Sequence, residues 1–95
     1  MFRVWAKIMK GSHKLDDYVA ENDDRSKNLT LRLYDCVDDI CQYFDLAKPI
    51  WLDQNYDELN KFGKTAFRQD HFIEQIPFQE LEIEIIEYDE EEKKK

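Results

Sequence analysis

Two segments in which apolar and polar side chains alternate constrain most strongly how this chain folds. They are FRVWAKIMK at residues 2–10 and LEIEIIEY at residues 81–88. Alternation with a period of two is typical of a strand that buries one face. The sequence therefore predicts a strand at each end of the domain. The apolar faces consist of Phe2, Val4, Ala6 and Ile8 in the first segment and Leu81, Ile83 and Ile85 in the second.

After the first strand, the sequence predicts a turn, a second strand that completes a hairpin, and a long helix. LDDYVAEN at residues 15–22 follows a turn at Gly11 and is predicted to be the second strand, with Leu15, Tyr18 and Val19 as its apolar residues. Residues 22–26 are rich in helix-capping side chains. Apolar residues then recur at helical spacing, which predicts a helix that ends near Leu46. This apolar stripe is formed by Leu29, Leu33, Val37, Ile40 and Phe44.

The following connector, KPIWL at residues 48–52, leads to shorter elements. Asn55 is predicted to cap a short second helix that ends at Gly63. Residues 65–67 suit a brief strand, and Asp70 is predicted to cap a helical turn through Ile73, before Pro77.

We predict an α+β fold with a small antiparallel β-sheet of about three to four strands in the order β-β-α-α-β along the chain. One long helix packs on one face of the sheet. The polar face of the first strand carries Arg3 and Lys7, and that of the last strand carries Glu82 and Glu84. Because opposite charges stabilise cross-strand neighbours, we expect the first strand to lie between the second strand and the last.

The chain length of 95 residues accommodates one hydrophobic core, so we predict a single domain over residues 1–88. The sequence DEEEKKK at residues 89–95 is predicted to be a charged, frayed tail.

A formal net charge of −8 indicates an acidic protein that repels phosphate backbones, so nucleic acid is not a predicted partner. No apolar run approaches the roughly 20 residues that span a bilayer, and no membrane association is predicted. The N-terminal residues lack the pattern of a secretory signal, which favours a cytoplasmic location.

The stretch Gly63-Lys64-Thr65 resembles the end of a phosphate-binding loop, G-x-x-x-x-G-K-[ST]. The position of the first glycine is Glu58, whose carboxylate would repel a phosphate group. Gly63 is also predicted to end a helix, whereas the motif requires one to begin there. We therefore predict a helix end followed by a solvated lysine, and no nucleotide or other cofactor.

Cysteine and histidine positions give no complete catalytic or metal-binding pattern. Cys36 and Cys41 are predicted to be buried free thiols, because five positions on a helix place them about 140° apart. Asp70 beside His71 could form an acid–base pair, but neighbouring residues in an extended chain point apart. Catalysis is left open and not favoured, no catalytic residue is assigned, and no metal is predicted.

Two tryptophans are candidates for interface anchors, since tryptophan is enriched in binding hot spots. Trp5 falls on the polar face of the first strand, where it is either exposed or covered by the second helix or the connector. Trp51 lies in the connector. Arg68 belongs to the only locally basic patch, at residues 61–68, which could attract an acidic group.

The segments KPIWLDQN, HFIEQIPF and LEIEIIEYDEE resemble a group of small uncharacterised bacterial proteins of about this length. The resemblance covers most of the chain. It implies a separate cytoplasmic bacterial domain of unknown function, and it transfers no catalytic residue.

The main functional hypothesis is a protein-interaction or accessory module without catalytic activity. Its candidate binding residues are Trp5, Trp51 and the face formed by Glu82 and Glu84, and a homodimer formed through a sheet edge is also possible. The alternative is a small-molecule-binding protein or minor enzyme with a pocket around Trp51 and His71, to which Arg68 and Asp70 contribute. A third hypothesis, acidic mimicry of nucleic acid, rests on charge alone.

Overall fold

The computed structural model describes residues 1–88, so the predicted frayed tail lies outside the described residues. The fold is α+β, as predicted, with a four-stranded antiparallel sheet and two helices. The strands are β1 (Phe2–Lys10), β2 (His13–Asn22), β3 (Lys64–Phe67) and β4 (Glu80–Glu87). The helices are α1 (Leu29–Phe44) and α2 (Asp53–Phe62), and a 3-10 helix spans Gln69–His71.

The strand order is β2-β1-β4-β3, which confirms the predicted position of β1 between β2 and the last strand. The expected ion pairs between β1 and β4 form for Lys7. Lys7 Nζ lies 3.5 Å from Glu82 Oε1 and 3.6 Å from Glu84 Oε1. Arg3, however, contacts Glu21 and Glu87 instead, because a register shift between Arg3 and Val4 places Glu87 opposite it.

The hairpin of β1 and β2 contains an irregularity that the alternation pattern did not show. Ile8 pairs with Asp16 and Met9 with Lys14, so Leu15 has no cross-strand partner. Leu15 is 56% exposed, and Val19 points to the side of the sheet away from the helices. Two of the three apolar residues predicted for this strand are therefore outside the core, and Ala20 is buried in their place. A bulge reverses the facing of every residue beyond it.

Helix α1 begins at Leu29 because the side chain of Asn28 accepts a hydrogen bond from the Leu31 N–H at 2.9 Å. The capping residues predicted at 22–26 form a separate turn, in which Asp24 accepts from the backbone and hydroxyl of Ser26. The helix ends at Phe44, two residues before the predicted end, with Asp45 in the left-handed conformation.

Helix α2 and the following turn also differ from their predicted boundaries. The helix starts at Asp53, and Asn55 lies inside its first turn, where its side-chain oxygen accepts from the Leu52 N–H at 2.9 Å. Asn55 thus caps the helix from within rather than from its edge. The predicted turn from Asp70 to Ile73 is the 3-10 helix, with Asp70 at its centre.

The core lies between one face of the sheet and the two helices. All four predicted apolar residues of β1 are buried, together with Leu81 and Ile83 of β4. α1 packs mainly on β2 and α2 mainly on β3, so the helices cover different halves of the sheet. None of the helices within residues 1–88 has the length and apolar character needed to cross a bilayer.

Cys36 and Cys41 are free and buried in α1, as predicted. Burial raises the pKa of the Cys36 thiol to about 12 and that of Cys41 to about 11. Nearby aspartates reinforce the shift: Asp39 and Asp35 for Cys36, and Asp38 for Cys41. Both thiols therefore stay protonated at neutral pH.

Truncation of the apolar stripe of α1 should destabilise the fold strongly. Ile40 is completely buried, so Ile40→Ala leaves a cavity and should lower the free energy of unfolding by about 2–5 kcal/mol. Leu31→Ala on the same helix is the control, because Leu31 is 47% exposed and its loss should cost less than about 1 kcal/mol. Urea denaturation followed by circular dichroism measures both values, and equal losses would contradict the packing described.

The two thiols should be inert until the protein unfolds. We expect the folded protein at pH 8 to react with a disulfide reagent such as Ellman's at least about 100-fold more slowly than the urea-unfolded chain, because the thiolate is the nucleophile. The unfolded thiols titrate near about 8.5, so their contribution to stability should fall as the pH rises from there towards 11 or 12. Labelling of the folded protein at a rate close to that of the unfolded chain would contradict the burial of the two thiols in α1.

Candidate functional site

The Gly-Lys-Thr segment is a helix end, as predicted. Gly63 has a φ of 73°, and its N–H donates to the Leu59 carbonyl at 3.0 Å. This left-handed conformation is one that glycine adopts without steric cost. Lys64 begins β3 immediately afterwards, so a strand follows where the motif requires a helix.

A buried polar network includes the Thr65 hydroxyl, which a phosphate-binding loop would need for its ligand. Thr65 Oγ1 donates to Glu58 Oε1 at 2.5 Å, and Asn55 Nδ2 donates to Thr65 Oγ1 at 2.9 Å. The hydrogen bond from Thr65, supported by one from Gln54, lowers the pKa of Glu58. Asn55 also donates to the Ala66 carbonyl, which ties α2 to strand β3 at the edge of the sheet. The network is structural and leaves the Thr65 hydroxyl occupied.

The sheet face that the helices do not cover is here called the open face. Its central strands carry Trp5, Lys7, Glu82 and Glu84, flanked by residues of β2 and β3. Lys7 contacts both glutamates, and Lys64 Nζ lies 3.9 Å from Glu82 Oε2. The predicted binding residues Glu82 and Glu84 are therefore in ion pairs, and the charges on this face largely neutralise one another.

Trp5 belongs to β1, which lies between β2 and β4, and its side chain is on the open face. Its Nε1 donates to Asp17 Oδ2 at 2.9 Å, and Lys7 Nζ lies 4.0 Å from its ring centroid. The bond from Trp5 and a second from Lys14 lower the pKa of Asp17. Trp5 was predicted to be either exposed or covered by the second helix or the connector, and neither alternative applies fully. The side chain is half-buried, and the residues that contact it belong to the hairpin, on a face that α2 does not cover.

Trp51 is the centre of an aromatic cluster between the two helices. It stacks on Tyr56 with ring centroids 5.3 Å apart, and it meets Tyr34 and Phe67 edge to face. The hydroxyls of Tyr34 and Tyr56 are hydrogen-bonded, which joins α1 to α2 and raises the pKa of Tyr56 to about 12. We call Tyr34, Trp51 and Tyr56 the aromatic bridge.

His71 is buried against Phe67, and its Nδ1 accepts from the Arg68 N–H at 3.0 Å. Nδ1 is thus occupied as an acceptor, and Nε2 has no hydrogen-bond partner among the described residues. Asp70 is 83% exposed, and its Oδ1 lies 3.8 Å from an Nδ1 that is already bonded. This geometry holds the backbone turn in place and does not prepare His71 as a base assisted by Asp70.

The side chains of the alternative pocket are only partly brought together. Trp51 and His71 both contact the Phe67 ring, with ring centroids 5.0 Å and 5.6 Å away. The Arg68 side chain lies 3.3 Å from Glu80 at the β3 edge. It lines a shallow depression there together with Glu58, Lys64 and Glu82, and neither Trp51 nor His71 borders it.

A cleft between the two helices was not predicted from the sequence. It has a volume of about 230 Å³, and its walls are the first turns of α1 and the middle of α2. The wall residues are Leu29, Thr30 and Leu33 on one side and Tyr56, Leu59 and Asn60 on the other. Tyr56 also belongs to the aromatic bridge, so the bridge borders the cleft.

The floor of the cleft is formed by Phe2, Ile85 and Tyr88 at one end of the sheet. None of the lining residues in the described part of the chain is charged, although charged residues make up 38% of the sequence. Apart from Tyr88, which ends the predicted last strand, each of these residues occupied a predicted apolar position or an ordinary helix position. The cleft exists because the two helices are separated in space. Hydrophobic periodicity in the sequence gives no information about the distance between two helices.

Within residues 1–88, no group of three or more His, Cys, Asp or Glu side chains is arranged to hold a metal ion. Comparison with known proteins found no matching protein-family model, no matching curated protein and no matching solved structure. The predicted resemblance to small bacterial proteins stays a prediction. The function is therefore inferred from the geometry alone.

Removal of the Asn55 side chain should destabilise the junction of α2 and β3. Asn55→Ala deletes three hydrogen bonds and leaves the buried Thr65 hydroxyl and the Leu52 N–H with fewer partners. We expect a loss of about 1–3 kcal/mol in the free energy of unfolding. Asn60→Ala is the matched control, because Asn60 is an exposed asparagine of the same helix. Equal effects of both substitutions in urea denaturation would argue against the network.

Proposed function

We propose that this protein is a protein-interaction module that binds its partner through the open face, without catalytic activity. The observation that supports this proposal is the position of Trp5. This large aromatic side chain lies on a central strand of a four-stranded sheet face without a helix, and its own neighbours cover it only in part. Tryptophan at the centre of a surface is the residue type that most often dominates binding free energy.

The surroundings of Trp5 suit such a role. Val19, its cross-strand neighbour on β2, is 40% exposed and extends the apolar surface on one side. On the other side, Lys7 and the two glutamates form ion pairs. A partner that covers Trp5 and Val19 would therefore meet a rim of charges that already have partners, and it would leave no isolated charge buried.

Two other hypotheses have weaker support. Trp51 contributes its ring to the packing between the helices, and neither Trp51 nor His71 lines the cleft there. A homodimer through the edge strand β2 would bring Asp16, Asp17 and Glu21 of two copies close together, and like charges opposite each other destabilise strand pairing. The homodimer, the cytoplasmic location and the exclusion of nucleic acid and membranes stay predictions.

Affinity capture from the native cells, followed by mass spectrometry at moderate salt, tests the proposed function. We expect a stoichiometric partner with the unaltered protein and its loss with Trp5→Ala, since truncation of a hot-spot tryptophan costs about 2 kcal/mol or more, which is about 30-fold in affinity. Val19→Glu should have a similar effect, because a partner that covers this position would remove the added charge from water. We expect this second variant to fold, because Val19 is 40% exposed.

The control for this experiment is Leu31→Ala. Leu31 is 47% exposed, and it belongs to α1, which covers the other face of the sheet. Circular dichroism of all three variants establishes that each is folded. A partner that remains bound to Trp5→Ala and Val19→Glu, or that is lost equally with Leu31→Ala, would contradict binding through the open face.

A further inference from the structure

We infer that the cleft between α1 and α2 binds a small, neutral and mostly apolar molecule. The inference is independent of the proposed function, because the cleft and the open face lie on opposite sides of the sheet. Phe2 and Ile85 belong to the face that the helices cover, whereas Trp5 and Glu84 belong to the other.

The shape of the cleft follows from how the helices are held apart. α1 packs on β2 and α2 packs on β3, which leaves the surface above the β1–β4 pair between them. The aromatic bridge joins the helices through the hydroxyls of Tyr34 and Tyr56 and fixes their separation beside the cleft. Thr30 and Asn60 are exposed at its mouth, whereas Leu33, Leu59 and Phe2 are buried within it. The cleft is therefore apolar at its base and open at a polar rim.

The lining chemistry selects the class of ligand. A charged ligand would lose hydration in this cleft without meeting an opposite charge, since none of the lining residues among positions 1–88 is an acidic or basic residue. The hydroxyl of Thr30 and the amide of Asn60 can instead form hydrogen bonds with one neutral polar group at the mouth. The base of the cleft offers only apolar contact to the remainder of the molecule.

The volume limits the size of the ligand. At about 230 Å³ the cleft is smaller than the pockets of about 300–1,000 Å³ that enclose drug-sized molecules. A single ring system with few substituents matches this space better than a nucleotide or an extended lipid. The ligand is thus a compact, uncharged molecule with an apolar body and one hydrogen-bonding group.

Titration with indole, observed by methyl NMR, tests the inference. Indole is neutral, has one N–H donor and consists of one fused ring system. We expect saturable shifts of the Leu33, Leu59 and Ile85 methyl signals with a dissociation constant of about 1 mM or tighter, which corresponds to a small ligand that uses most of its atoms. Indole-3-carboxylate, which has the same ring and a negative charge, should bind at least about tenfold more weakly.

Two substitutions at the rim distinguish the cleft from other apolar surfaces. Asn60→Phe and Thr30→Phe introduce a ring at exposed positions of the mouth and should weaken indole binding about fivefold or more by occupying the space. Gln42→Phe adds the same ring at an exposed position of α1 outside the cleft and should leave the affinity unchanged. Shifts that rise linearly without saturation, or equal weakening by all three variants, would overturn the inference.

Discussion

The antiparallel pairing of β1 with β4 is the interaction on which the rest of the structure depends. It joins the first and last strands of the described residues at the centre of the sheet. The outer strands and both helices are then placed relative to this pair. Because side chains alternate across each strand, the pairing also separates the molecule into two faces with different chemistry. One face is apolar and covered by helices, and the other is charged, with Trp5 at its centre.

The two helices are each anchored to a different edge of this sheet, and their polar contacts determine where the candidate sites lie. Tyr18 donates to Asp39 of α1, while Asn55 of α2 is bonded to β3. These contacts place the helices near opposite edges of the sheet, and the aromatic bridge keeps them in contact with each other. The cleft is a consequence of this arrangement. A sheet of four strands is wider than one helix can cover, and the side chains between the two helices do not fill the remaining space.

Polar side chains that suggest chemistry in the sequence stabilise structure in the fold. Thr65 and Glu58 occupy two positions of a degenerate phosphate-binding pattern, and they are bonded to each other. Nδ1 of His71 accepts a backbone N–H within its own turn, which leaves Asp70 in solvent. Buried polar groups require partners, and in a small domain the nearest partners are other parts of the same chain. Local motifs in such a chain are therefore weak indicators of activity.

The sequence by itself determined the fold class, the central strands and the strand order, because alternation, helical spacing and complementary charge are local properties that the fold preserved. It assigned no face to Leu15 or Val19, because a bulge in β2 sets their facing without changing the composition of the strand. It singled out Trp5 but did not show what contacts it. Tertiary structure alone decided the cleft and the aromatic bridge. Both depend on the distance between helices that contact different strands, and that distance is set by packing between residues far apart in the chain.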